Sequence, residues 1–219
     1  MAQKKKITAD HLISIYMEHV LENSAAPASV YSFAKDNGFE ETEFYKFFGS
    51  FRALEKGIFQ AFFDNTIKTL HKSKDYENYD ARNKLLSFHF TFFELLTANR
   101  SYVVYALQGG GQMLKSMEVL SGVRTSYMEY VSELDLGLPS IKQETLHRIQ
   151  QRSLKESAWG QLLLTLKFWM DDTSPAFEKT DIFIEKSIQA SMDLIDTTPL
   201  KSVLDFGKFL IKEKTPFTS

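Results

Sequence analysis

Along most of the chain the apolar positions recur every three or four residues, the spacing of one helix face, and strand-type alternation is rare. Leu12, Ile15, Tyr16 and His19 or Val20 make one stripe, and Thr8 stands where an N-cap belongs, so a first helix is predicted to about Glu22. Asn23 to Pro27 interrupts it. A second helix is predicted over about Ala28 to Asn37, burying Val30, Phe33 and Ala34, with Gly38 able to take the left-handed conformation wanted at a helix C-terminus. A short third helix covers about Glu41 to Phe48. Gly49 and Ser50 end it, and Ser50 opens a long fourth helix, about Phe51 to His71.

The polar run Lys72 to Tyr79 reads as a loop between helices. Asp80 is placed to cap a fifth helix that ends near Ala98 and is apolar on most sides, hence central. A short sixth helix, Tyr102 to Gln108, meets the break Gly109 to Gly111, and a seventh follows from about Gln112 to Leu134. Gly137 and Pro139 mark a loop, and Ser140 with Gln143 has the pattern of a capping box. The helical region after it reaches about Met170, with a kink expected near Gly160. After a turn at Asp171 to Pro175, a helix over Ala176 to Ile195 carries Ile184, Ile188, Met192 and Ile195 on one stripe. Thr198 and Pro199 start a last helix to about Lys212. The expected fold class is therefore all-α.

Composition sharpens this picture at a few points. A chain of 219 residues, 43% apolar and 25% charged, can bury a substantial core and does not read as disordered. Its 19 phenylalanines point to a bulky core or a roomy apolar pocket. The absence of cysteine excludes disulfides and thiolate metal sites and fits a reducing compartment. Asp10, His11 and Glu18 interrupt the apolar run a signal peptide needs, so a cytoplasmic location is expected. No apolar stretch is long enough to span a bilayer. The five histidines are scattered without a pair at ligand spacing, so neither metal nor cofactor is expected. Gly109 to Gly111 lacks the lysine and the preceding strand of a phosphate loop. No nucleophile–base pair stands out, and an enzyme is not expected.

The informative stretch is Val30 to Leu54, VYSFAKDNGFEETEFYKFFGSFRAL. Two short amphipathic helices around a glycine turn form the helix-turn-helix pattern, in which the first braces the second and the second offers its exposed face to the major groove. Gly38, then Tyr45, Lys46, Phe47 and Phe48, with Ser50 and Leu54 opening a long helix, resembles the TetR family of regulators. The resemblance implies a helix-turn-helix domain over residues 1–50 and a helical effector-binding and dimerisation domain over residues 51–219. It also implies DNA, a small apolar effector and a second copy of the chain as partners.

Three positions depart from the family pattern. Glu43 replaces a phosphate-contacting Ser or Thr, Phe51 replaces a Lys, and Glu40 replaces the Ser that caps the recognition helix. Residues 28–48 hold two lysines against four carboxylates. Phosphate neutralisation dominates DNA affinity, so such a head should bind DNA weakly. The remaining DNA-contact candidates are Lys4, Lys5 and Lys6 as a basic arm, with Lys35, Thr42, Tyr45, Lys46 and Arg52. Packing against the first helix is the other reading of Tyr45.

For the effector pocket the candidates are Phe88, His89, Phe92, Tyr102, Tyr105, Trp159 and Phe168, which spacing alone does not separate from ordinary core. The regions Leu162 to Trp169 and Ile184 to Ile195 match the helices through which the family dimerises. The terminal stretch Leu200 to Ile211 is amphipathic, suited to capping the core or the dimer, or to lying on a membrane surface. Two functions follow: a regulator whose DNA binding is controlled by a small apolar effector, or a protein of the same fold that has lost DNA binding and binds a lipid or isoprenoid.

Overall fold

The first helix begins where a polar side chain can satisfy its free amides. In the computed structural model, which describes residues 6–108, 117–137 and 144–196 (145, 146 and 196 by backbone alone), Thr8 accepts from the His11 amide at 3.2 Å and α1 runs Ala9–Asn23. Ser29 and Ser32 form a reciprocal capping box, so α2 starts at Val30 and runs Val30–Asp36. Gly38 takes φ +71°, a left-handed turn closed by the bond from the Phe39 amide to the Ala34 carbonyl.

The third helix is shorter than its pattern predicts. α3 is Glu41–Tyr45, and the Phe47 and Phe48 amides both turn back onto the Phe44 carbonyl. The cause lies in packing. The Phe48 ring rests over Gly57, where any Cβ would meet its Cε1 at 2.8 Å. Ser50 accepts from the Ala53 amide, and α4 runs Phe51–Leu70.

The polar run after α4 is less of a free linker than it reads. It holds a 3-10 turn, Tyr76–Asn78, and Tyr76 is buried with its hydroxyl 2.8 Å from that of Tyr130. Asp80 accepts from the Asn83 amide at the start of α5, Ala81–Ala98. Only Asn99 separates α5 from α6, Arg100–Gln108; its side chain donates to the Leu95 carbonyl and its own carbonyl accepts from Val103, so α6 starts earlier than predicted. A 3-10 turn, Glu118–Leu120, leads into α7, Ser121–Glu133. α8 is one helix, Glu144–Asp171, with Gly160 in its interior, and α9 is Glu178–Asp196.

Among the described residues there are nine α-helices and no strand, in agreement with the all-α expectation and with an N-terminal three-helix head followed by a helical body. None of these helices is long and apolar enough to cross a membrane. Lys4, Lys5, the glycine break at 109–111, the capping box at 140–143 and the last helix predicted after Thr198 lie outside the described residues.

Contacts group the chain into two compact units, one from Met1–Thr66 with Phe92–Thr125 and one from Ile67–Thr91 with Ser126–Ser219. In the first, Leu12, Tyr16, Phe33, Phe44 and Leu54 are buried together with Val103, and α1 packs on α6. In the second, Phe88, Tyr127, Trp169, Ile184 and Ile188 are buried and α8 packs on α9.

The turn between α8 and α9 shows why α9 starts at Glu178 instead of Ala176. Ala176 and Phe177 both take positive φ, 51° and 59°, without being glycine. Left-handed backbone of this kind costs roughly 1–2 kcal/mol per residue. Asp172 offsets it by accepting from the amide and hydroxyl of both Ser174 and Thr180, at 2.7–2.9 Å. Burial opposes the Asp172 charge, but those bonds outweigh it and hold the carboxyl down at about 2. A carboxyl lowered in the fold lends stability that is present above its unfolded value near ~3.9 and lost as pH falls through the folded one. Asp172→Ala is expected to lower Tm by several degrees, since losing a cap costs about 0.5–2 kcal/mol and ~1 kcal/mol moves Tm by about 2–4 °C at this size. The deficit should shrink between about pH 4 and pH 2; a variant as stable as wild type at neutral pH would contradict this role for Asp172.

Candidate functional site

The three-helix head is built around one phenylalanine. Phe33 of α2 has ring contacts with Tyr16 of α1 (6.2 Å), Phe39 (5.8 Å), Phe44 of α3 (6.3 Å) and Phe51 of α4 (5.6 Å), all edge-on. Edge-on pairs at these distances are the favoured arrangement of aromatic quadrupoles. Phe51 also stacks on Tyr16 at 5.4 Å and meets Phe44 at 5.5 Å. The position where the family pattern has a basic residue is thus spent on holding α4 to the head.

On the outer surface, Lys6, Lys35, Thr42, Tyr45 and Lys46 are exposed, while Arg52 is half-buried. Tyr45 is 51% exposed, so its ring is available to a ligand although one edge meets Phe44 at 5.6 Å. Three of these groups, Tyr45, Lys46 and Arg52, already have acidic neighbours. The Tyr45 hydroxyl donates to Glu41 at 3.2 Å, and Lys46 is paired with Glu43. Arg52 bridges Glu55 at 2.9 Å and Glu118 at 3.4 Å, and Lys56 reaches Glu118 at 2.6 Å. Glu55 also accepts from the Tyr16 hydroxyl at 2.8 Å. The Lys56 bond, with Lys56 and Arg52 charge, lowers the Glu118 carboxyl, so it stays ionised. The mouth of α4 is a closed acid–base network.

The seven aromatic and histidine candidates are divided between the two units, Phe92, Tyr102 and Tyr105 in the first and Phe88, His89, Trp159 and Phe168 in the second. Tyr102 and Tyr105 of α6 come near Tyr16 of α1, and Phe92 contacts Phe93 in the same unit. Phe88 and His89 of α5 belong to a buried cluster with Tyr127 and Tyr130 of α7, with Phe88 5.0 Å from both rings. In it Tyr130 donates to the Lys84 carbonyl at 2.9 Å and so accepts from Tyr76. Burial drives the Tyr127 hydroxyl upward and keeps it neutral. Trp159 is buried on α8, and Phe168 stacks on Phe183 of α9 at 4.5 Å beside a shallow apolar depression with Ile182.

A more enclosed space lies elsewhere in the second unit. It holds about 330 Å³, within the range of small-molecule sites. Leu85 of α5, Val131 of α7 and Leu136 floor it. Ile149, Leu154 and Ala158 of α8 and Met192, Leu194 and Ile195 of α9 also line it. Its polar lining is Gln150, Ser153, Ser157, Gln161 and Ser191. Apart from Met192 and Ile195, the sequence pattern does not single out these residues. Gln150, a glutamine 8% exposed among apolar neighbours, is visible only once the helices are assembled. Among the described residues no cluster of His, Asp or Glu is arranged to hold a metal ion.

The family model described as tetracyclin repressor-like, C-terminal domain, matches residues 84–210. A comparison with curated proteins finds no match.

His89 yields the clearest pH signature of the buried cluster. Burial lowers its pKa to about 4, against the bond its Nδ1–H donates to the Leu85 carbonyl at 2.9 Å. A histidine lowered in the fold withholds stability as pH falls from its unfolded value near ~6.5 toward the folded one. Its ring signals in an NMR titration are expected to stay constant from about pH 8 to pH 5, in the neutral Nδ1–H tautomer. A midpoint near the ordinary value of ~6.5 would show that the cluster is wet or open.

Proposed function

The chain belongs to the TetR family of regulators, whose C-terminal domain covers more than half of it, and from that premise we propose that it is a transcription regulator whose DNA binding answers to a small apolar effector. The observation that carries this reading is the compact head around Phe33, which leaves Thr42, Tyr45 and Lys46 of α3 and its following turn exposed on one short segment. Such a segment suits the major groove, with Lys35, Arg52 and the Lys4–Lys6 arm as backbone contacts. We take residues 1–50 as the DNA-reading part and residues 51–219 as the effector-binding and dimerising part. The groove between α8 and α9 is taken as the effector site, because it is an enclosed apolar space with several polar groups in its lining. Exposed Leu164, Ile182 and Leu194 on the same two helices support a homodimer through them. A dimer must engage both half-sites at once, so an effector that favours a misfitting spacing lowers affinity.

The paired cations favour a second reading, in which the head no longer binds DNA and the body carries a lipid or isoprenoid. DNA would have to displace Glu43 from Lys46, and Glu55 and Glu118 from Arg52. The stretch after Thr198 would then be the membrane contact. Flotation with liposomes, with and without residues 199–219, tests that contact; equal flotation of both forms removes it.

The two readings part in one titration. The regulator should bind fragments of its own genomic neighbourhood at low salt, and Lys46→Ala should weaken binding to every sequence and reduce the salt slope by about 1. Glu118→Gln, which removes one carboxylate from beside Arg52 and Lys56, should strengthen binding severalfold. Absence of binding by wild type and by Glu118→Gln at low salt would end the regulator reading.

A further inference from the structure

The groove between α8 and α9 carries a chemical preference that its apolar lining alone does not give. Of its polar side chains, Gln161 donates to the Ser187 hydroxyl at 3.2 Å and Ser191 donates to the Ser187 carbonyl at 2.9 Å. Ser153 and Ser157 are exposed and reach water. Gln150 is different. It is 8% exposed, and its buried Nε2 has no acceptor among the described residues. An amide donor left without a partner in apolar surroundings costs about 1–3 kcal/mol, which a suitable acceptor would recover. No Lys, Arg or His lines the groove among the described residues. A carboxylate or phosphate there would lose its hydration without gaining a counter-charge.

We propose that the groove binds a neutral, largely apolar molecule that carries a carbonyl oxygen, and that Gln150 Nε2–H donates to that oxygen. Apolar carbon fills the space among Leu85, Val131, Leu154 and Met192, and the carbonyl lies at Gln150. Ketones, lactones, esters and quinones fit this description; free fatty acids and phospholipid headgroups do not. The inference rests on the groove being the effector site, and it fixes the class of effector.

Calorimetric titration of the full chain with three probes of matched length tests it: methyl nonyl ketone, undecane and undecanoic acid at neutral pH. The ketone is expected to bind about tenfold tighter than the alkane, as one satisfied buried donor should give, and tighter than the acid. Gln150→Leu and Gln150→Met should each bring ketone binding to the level of alkane binding in the same variant. The inference is overturned if the ketone and alkane bind equally to wild type, if the acid binds tightest, if both variants keep the preference, or if none of the three binds. No DNA enters this assay, so a negative result here leaves the DNA titration standing, and a failure there leaves the ligand class standing.

Discussion

The seating of Phe51 among Tyr16, Phe33 and Phe44 is the contact on which the head depends. Three short helices bury little surface by themselves, and α3 has five residues, too few to be stable as an isolated helix. What organises them is a set of edge-on and stacked rings drawn from α1, α2, α3 and the first residue of α4. Each ring serves two or more neighbours, so removing one unsettles several pairs at once. Phe51 is the member supplied by α4. Its presence ties the long helix to the head, and it occupies a position that in the family pattern carries charge.

That exchange sets the electrostatics of the whole face. With Phe51 half-buried against the rings of the head, Arg52 and Lys56 near the mouth of α4 are both turned toward Glu118, with Glu55 completing the set. Such partly exposed pairs add little to stability. Their importance lies in binding, because every cation engaged within the protein must exchange its partner before it neutralises a phosphate. The second unit repeats the theme with neutral groups. Tyr76, Tyr130 and the Lys84 carbonyl satisfy one another, while Gln150, in the lining of the groove, keeps a buried donor without an acceptor.

Local chemistry made much of the fold legible from the chain alone. Thr8, Gly38, Ser50 and Asp80 each do in the structure what their side chain or backbone freedom implies. The departures have distant causes. α3 stops at Tyr45 because Phe48 needs the surface of Gly57, and α9 starts late because Asp172 gathers Ser174 and Thr180 into a left-handed turn. The candidate site divides the same way. The exposed positions of α3 follow from helical phase, whereas the Arg52–Glu118 pair joins residues 66 apart in sequence. The groove draws on α5, α7, α8 and α9, so its one unusual residue, Gln150, carries no signal in any local pattern.

The most direct test of this account is amide hydrogen exchange in wild type and in Phe51→Lys, which restores charge at the cost of the aromatic seat. Protection is expected to collapse across α1, α2 and α3 while the amides of α8 and α9 exchange as before. Undiminished protection of the head in that variant would contradict the claim that Phe51 holds it together.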